Sequence, residues 1–163
     1  MIKIYEEFTD DFKRKMNAIE EIDKLYDKIT SLFKKLTYID ITYLSNKGSN
    51  HDIVISFYIP SYDKKNIICE MILSLSDNII SGDYDVKISI NFKIVKIDNK
   101  YLKNLDELDS FIHFLAFVFD PYYKHSYFDE FHYSVKIKDI SKIISRINIY
   151  EYNIWRDISK YNL

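Results

Sequence analysis

The stretch Tyr84-Asp85-Val86-Lys87-Ile88-Ser89-Ile90-Asn91-Phe92-Lys93-Ile94-Val95-Lys96-Ile97 decides the fold. Val86, Ile88, Ile90, Phe92 and Ile94 fall on one side of a period-two chain, and Lys87, Ser89, Asn91 and Lys93 on the other. A strand with one apolar and one polar side belongs to a sheet covered on one face only. A strand buried on both faces would read as an unbroken apolar run. Toward the N-terminus the same period recurs over 66–75, where Ile67, Cys69, Met71, Leu73 and Leu75 share a side. It recurs again over 51–59 with Ile53, Ile55, Phe57 and Ile59, closed by Pro60, which has no N–H for a ladder. A further strand is expected over 38–44. Asn46-Lys47-Gly48-Ser49-Asn50, Asp77-Asn78 and Gly82-Asp83 supply the turns. Short connections between four consecutive strands predict an antiparallel meander.

The layer that covers such a sheet is legible on either side of it. Phe8, Phe12, Met16, Ile19, Ile22, Tyr26, Ile29, Phe33 and Leu36 are spaced by threes and fours, which predicts one long amphipathic helix with Thr9 or Asp10 as its cap. Downstream, Asn104 and Glu107 have the spacing of a capping box. They open a helix over 105–119 that carries Leu108, Phe111, Ile112, Leu115, Val118 and Phe119 and stops at Asp120-Pro121. Ser134–Lys138 reads as a fifth strand. A C-terminal helix follows from Asp139 or Ser141, carrying Ile140, Ile143, Ile144 and Ile147 and running on through Ile154, Trp155 and Ile158. The expected architecture is one α+β domain over 1–163. It has two layers: a four- to five-stranded antiparallel meander, with the long N-terminal helix and the C-terminal helices on one face.

Composition narrows the chemistry. The 163 residues include 23 basic and 25 acidic side chains, a formal charge of -2, which does not suit non-specific nucleic-acid binding. Only 2 glycines occur, Gly48 and Gly82, and they stand apart, so the glycine-rich loops that cradle phosphates are absent. Cys69 is the only cysteine, which excludes an internal disulfide and any zinc site built on two thiolates. It falls on the apolar side of a strand and is expected to be an inert buried thiol. The first residues, Met-Ile-Lys-Ile-Tyr-Glu-Glu, carry no apolar signal core, and no run approaches the ~20 apolar residues of a membrane span. A cytoplasmic protein is expected.

From Asp120 to Tyr133 the chain reads Asp-Pro-Tyr-Tyr-Lys-His-Ser-Tyr-Phe-Asp-Glu-Phe-His-Tyr, a segment read as a long aromatic loop without helical or strand period. Aromatic rings are rigid and bury much area, so they anchor cores and recognition surfaces alike. The loop is expected to be pinned by Phe128 and Phe131. With Asp129 and Glu130, the rings of Tyr122, Tyr123 and Tyr127 are expected to grip a protein partner of basic character, joined by Tyr58, Lys87 and Asn91 on the polar sheet face.

Catalytic readings have less to rest on. His125 and His132 lie near Asp129 and Glu130, a set that suits a first-row metal, but no familiar ligand spacing is present. His132-Tyr133-Ser134 is half of the two-histidine phosphoesterase pattern, whose chemistry needs a second copy; His51 is followed by Asp52-Ile53 instead. Asp85-Val86-Lys87, with Asp63 or Glu70 as an earlier acid, has the residue types of a magnesium nuclease on an otherwise ordinary alternating strand. The reading is therefore a module that binds and blocks a protein partner, with no catalytic residues, metal or cofactor, of the type of immunity proteins and anti-defence inhibitors. The alternative is a metal-dependent phosphodiesterase or nuclease using His125, His132 and nearby carboxylates. Self-association through the helix from Phe8 to Leu36 is a further expectation.

Overall fold

The structure is a computed structural model that describes residues 2–36, 41–48, 51–60, 65–78, 82–92, 102–127 and 130–161. In chain order these form α1 (Ile2–Leu36), β1 (Thr42–Lys47), β2 (Ile53–Pro60), β3 (Lys65–Asn78), β4 (Asp83–Phe92), α2 (Leu102–Phe119), β5 (Tyr123–Tyr127), β6 (Glu130–Lys136), α3 (Ile140–Arg146) and α4 (Ile149–Tyr161). One-turn 3-10 segments occupy Asp120–Tyr122 and Ile137–Asp139. The strands make one six-stranded sheet in the order β1-β2-β3-β4-β6-β5, with every neighbouring pair antiparallel. This is the expected α+β meander, extended by a hairpin whose second strand, β6, pairs with β4.

The period-two pattern sorts the two faces as read. Ile53, Ile55 and Phe57 of β2, Cys69, Met71 and Leu73 of β3, and Val86, Ile88 and Ile90 of β4 are all buried. Above them lie Ile22, Leu25, Ile29 and Phe33 of α1 with Phe111, Leu115 and Phe119 of α2, in one continuous core. Phe33 is the junction: its ring centroid is 4.8 Å from Phe57 and 5.4 Å from Phe111, so α1, the sheet and α2 share one aromatic contact. Phe114, further along α2, carries the packing out to Tyr152 and Trp155 of α4 at 5.4 and 5.9 Å.

Several boundaries differ from the sequence reading, each for a local reason. Helix α1 begins at Ile2, so Thr9 and Asp10 lie inside it and do not cap it. Nothing in the preceding residues breaks a helix, and Lys3, Glu6 and Glu7 favour one. Helix α2 likewise begins at Leu102, which puts Asn104 within the helix. Of the strand expected over 38–44, residues 38–40 lie outside the described residues. The described part runs on to Lys47, because Asn46 and Lys47 pair with Val54 and Ile53. Beyond it the Gly48 N–H donates to the Asp52 carbonyl at 2.8 Å and His51 takes a positive φ of 62°, while Ser49 and Asn50 of the expected turn lie outside the described residues. The strand expected to reach Ile97 is described to Phe92.

The single C-terminal helix of the reading is two helices. Asn148 interrupts the isoleucine stripe: its Oδ1 accepts the Glu151 N–H at 2.9 Å and its carbonyl accepts the Tyr152 N–H at 3.0 Å. Its Nδ2 donates back to the Ser145 carbonyl at 2.9 Å. The residue thus caps α4 and ties off the chain leaving α3. Asn148→Ala is expected to lower unfolding free energy by about 1 kcal/mol, read as a fall in the urea midpoint with an unchanged slope.

Candidate functional site

The aromatic stretch is not a loop. Asp120–Tyr122 makes one 3-10 turn with Pro121 in its first positions, and β5 and β6 then form a hairpin at the edge of the sheet. The period of β6 is complete. Phe131, Tyr133 and Val135 turn to the helices, while Glu130, His132, Ser134 and Lys136 turn to the opposite face. Aromatic residues occur on both strands of the hairpin, so counting rings hides this alternation. Strand β5 pairs Tyr123 with Tyr133 and His125 with His132, and the register shift between those pairs absorbs Lys124.

The structure divides the expected partner-binding residues between two sides. Tyr133 is buried at 3% exposure with its ring 5.6 Å from Phe119. Tyr123 packs edge-on against it at 6.0 Å and is 46% exposed on the helix side of the hairpin. Tyr122 is half-buried against the core. Glu130, Asn91 and Lys87 lie on the other face, where Glu130 stands opposite Asn91 and Lys87 donates from Nζ to the Ser134 hydroxyl at 2.9 Å. Tyr58 shares that face but belongs to β2, separated from β4 by β3. Tyr127 pairs with Glu130 through the backbone of β5, and Asp129 and Phe128 lie outside the described residues.

The uncovered face is ordered in cross-strand rows. One runs Leu44, Ser56, Glu70, Asn91, Glu130; the next runs Asn46, Val54, Ile72, Ser89, His132, His125. Val54 and Ile72 form a half-buried apolar centre between polar flanks. At the β6–β5 end, the rings of His125 and His132 stack with centroids 4.6 Å apart, and His132 Nε2 lies 3.1 Å from Glu130 Oε1. This set unites two histidines weighed above as metal ligands with one of the expected carboxylates. Among the described residues, no group of three or more His, Cys, Asp or Glu side chains is arranged to hold a metal ion.

The remaining candidates fall into structural places. Glu70 stands opposite Asn91, six residues along β4 from Asp85, or roughly 20 Å at the rise of a strand. It is too distant to share an ion with Asp85, and Asp63 lies outside the described residues. Cys69 is buried in β3. His113 is on the exposed surface of α2, with Nδ1 2.8 Å from the Asp109 carbonyl. Among the described residues, the largest shift is at the hairpin's anchor: burial pushes the Tyr133 phenol up to about 12, helped by the nearby charge of Asp120. No helix among the described residues is long and apolar enough to cross a membrane.

Together these features define an α+β protein with helices on one face of an antiparallel sheet, a polar second face that no element among the described residues covers, and an aromatic edge hairpin. The chain matches no family model, no curated protein and no solved structure.

Proposed function

We propose that this protein is a non-catalytic binding module that blocks or regulates a protein partner through the uncovered face of its sheet, in the manner of an immunity-type inhibitor. The observation that carries this is the composition of the face. A half-buried apolar centre at Val54 and Ile72 is surrounded by Ser56, Glu70, Ser89, Asn91, Glu130 and His132, all held on hydrogen-bonded strands. An apolar centre with a polar rim is the anatomy of a protein interface, and side chains on rigid strands lose little freedom when a partner docks. The same face takes in four residues expected from the sequence, Tyr58, Lys87, Asn91 and Glu130. The basic partner inferred from Asp129 and Glu130 loses part of its basis, since the Glu130 carboxylate is already engaged by His132.

The test uses Ser89→Arg with Asn91→Arg, two long charged side chains placed on β4 opposite Ile72 and Glu70. The immobilised wild-type protein is expected to retain a protein from its native host that the double variant loses by roughly tenfold or more in affinity. The thermal unfolding midpoint should move little. Retention of that partner by the double variant would remove the sheet face from the interaction. Metal-dependent phosphodiester cleavage that disappears in His125→Ala and His132→Ala would instead establish the hydrolase reading.

A further inference from the structure

At the open end of the hairpin a cleft of about 340 Å³ is walled by Tyr122, Lys124, Ser134, Lys136, Lys138 and Asp139. Three of these are lysines, contributed by β5, β6 and the 3-10 turn that follows. Lys87 of β4 adds a fourth by reaching Ser134 at 2.9 Å. All four lysines are exposed. Among the described residues, Lys124, Lys136 and Lys138 form no ion pair. One carboxylate lines the cleft and another lies near it. Asp139 is turned to Lys142 at 3.7 Å, and Asp85 stands opposite Lys136 across the strands. The cleft keeps an excess of positive charge, with three lysines against one lining carboxylate, and an incoming anion relieves the repulsion among them.

The cleft adjoins the outer edge of β5, the last strand of the sheet, along which Lys124, His125 and Ser126 are exposed. Strand β5 is only five residues long, is shifted in register at Tyr123/His125 and presents a lysine. These are the devices by which edges discourage indiscriminate pairing. A lysine beside three others also selects: it disfavours a basic strand and favours an acidic one.

We infer that this edge receives an extended acidic segment of a partner protein, which adds a strand to β5 and places its carboxylates in the Lys124–Lys136–Lys138 cleft. In such a strand alternate side chains point to the same side, so every second residue reaches the lysines while the backbone pairs with β5. A free polyanion such as single-stranded nucleic acid fits less well. It must run beyond the cleft across a protein whose net charge is -2, where the electrostatic gain per phosphate is lost. The inference rests on the binding-module reading and names the chemistry of one part of the partner.

The experiment measures fluorescence anisotropy with three labelled probes: a peptide of alternating Glu and Val, one of alternating Lys and Val, and an oligothymidylate of equal length. Amide hydrogen exchange over Tyr123–Tyr127 is followed with and without the Glu peptide. The Glu peptide alone is expected to bind, to weaken as salt is raised, and to slow exchange in β5. Lys124→Glu with Lys136→Glu should reduce its affinity roughly tenfold or more, and Lys138→Glu alone should act in the same direction. Equal or tighter binding of the oligothymidylate would overturn the peptide assignment. So would no binding of the Glu peptide, or binding without slower exchange in β5. The Ser89→Arg, Asn91→Arg variant distinguishes this outcome from failure of the sheet-face reading, because it should bind the Glu peptide at least as well while losing the partner protein.

Discussion

Phe57→Ala is expected to lower the free energy of unfolding by about 3–5 kcal/mol, the range for deleting a fully buried aromatic ring. Phe57 is fully enclosed, with Phe33 at 4.8 Å, Phe111 at 6.0 Å and Tyr43 at 6.4 Å. The resulting cavity is bounded by α1, α2, β1 and β2. Those elements cannot all move inward, since β2 is hydrogen-bonded on both sides to β1 and β3. The lost ring therefore leaves a void that the structure fills poorly, and its edge-to-face contacts disappear with it. Urea unfolding should show a lower midpoint with an unchanged slope. Phe57→Leu keeps most of the volume and is expected to cost less than half as much. A loss below about 1 kcal/mol for the alanine variant would contradict the packing described here.

Tyr133 is the second position with a large expected effect. Tyr133→Ala should cost about 3–4 kcal/mol, because the ring joins Phe119 of α2 to Tyr123 of β5. Tyr133→Phe keeps the ring and isolates the titration of the phenol. The native pKa is raised from 10.0 to about 12 by burial and the nearby charge of Asp120. Between pH 10 and 12 the unfolded chain has released this proton while the folded chain keeps it. Stability is thus full below pH 10 and falls as pH rises through that window, by on the order of 2 kcal/mol. Burial raises the phenols of Tyr84 and Tyr152 as well, so the wild-type slope has more than one source. Replacement of Tyr133 by Phe is expected to flatten the alkaline slope without abolishing it. An identical slope in the two proteins would show that Tyr133 ionises freely in the fold.

These two positions also show which parts of the fold were readable. Phe57 lies in a strand where every second residue is apolar, and its burial follows from that pattern alone. The alternation of Glu130–Lys136 is equally regular, but Phe131 and Tyr133 were weighed with Tyr122, Tyr123 and Tyr127 as one aromatic group. That grouping concealed a strand. Strand β5 gave less to read, because a short edge strand with exposed Lys124, His125 and Ser126 has no apolar side. The split between α3 and α4 depends on Asn148, whose capping bonds outweigh the isoleucine stripe running through it.

Of the expected interaction residues, Lys87, Asn91 and Glu130 do share a surface, whereas Tyr122 and Tyr123 lie on the helix side. Tyr133 and Phe131 therefore anchor the described part of the aromatic segment to the core, while Lys124, His125 and Ser126 are exposed. The segment's histidines come into one row with Ser89 of β4 only because β6 inserts between β4 and β5.

The sequence by itself determined which side of β4 meets the helices, since the two-residue period is a local property of the chain. The place of β6 and β5 in the strand order was decided only by the tertiary structure. Pairing β6 with β4 brings Ser134 to Lys87 and Glu130 to Asn91, residues more than thirty positions apart in the chain. Such contacts depend on closing a long segment and matching two registers at once, and no local pattern records them.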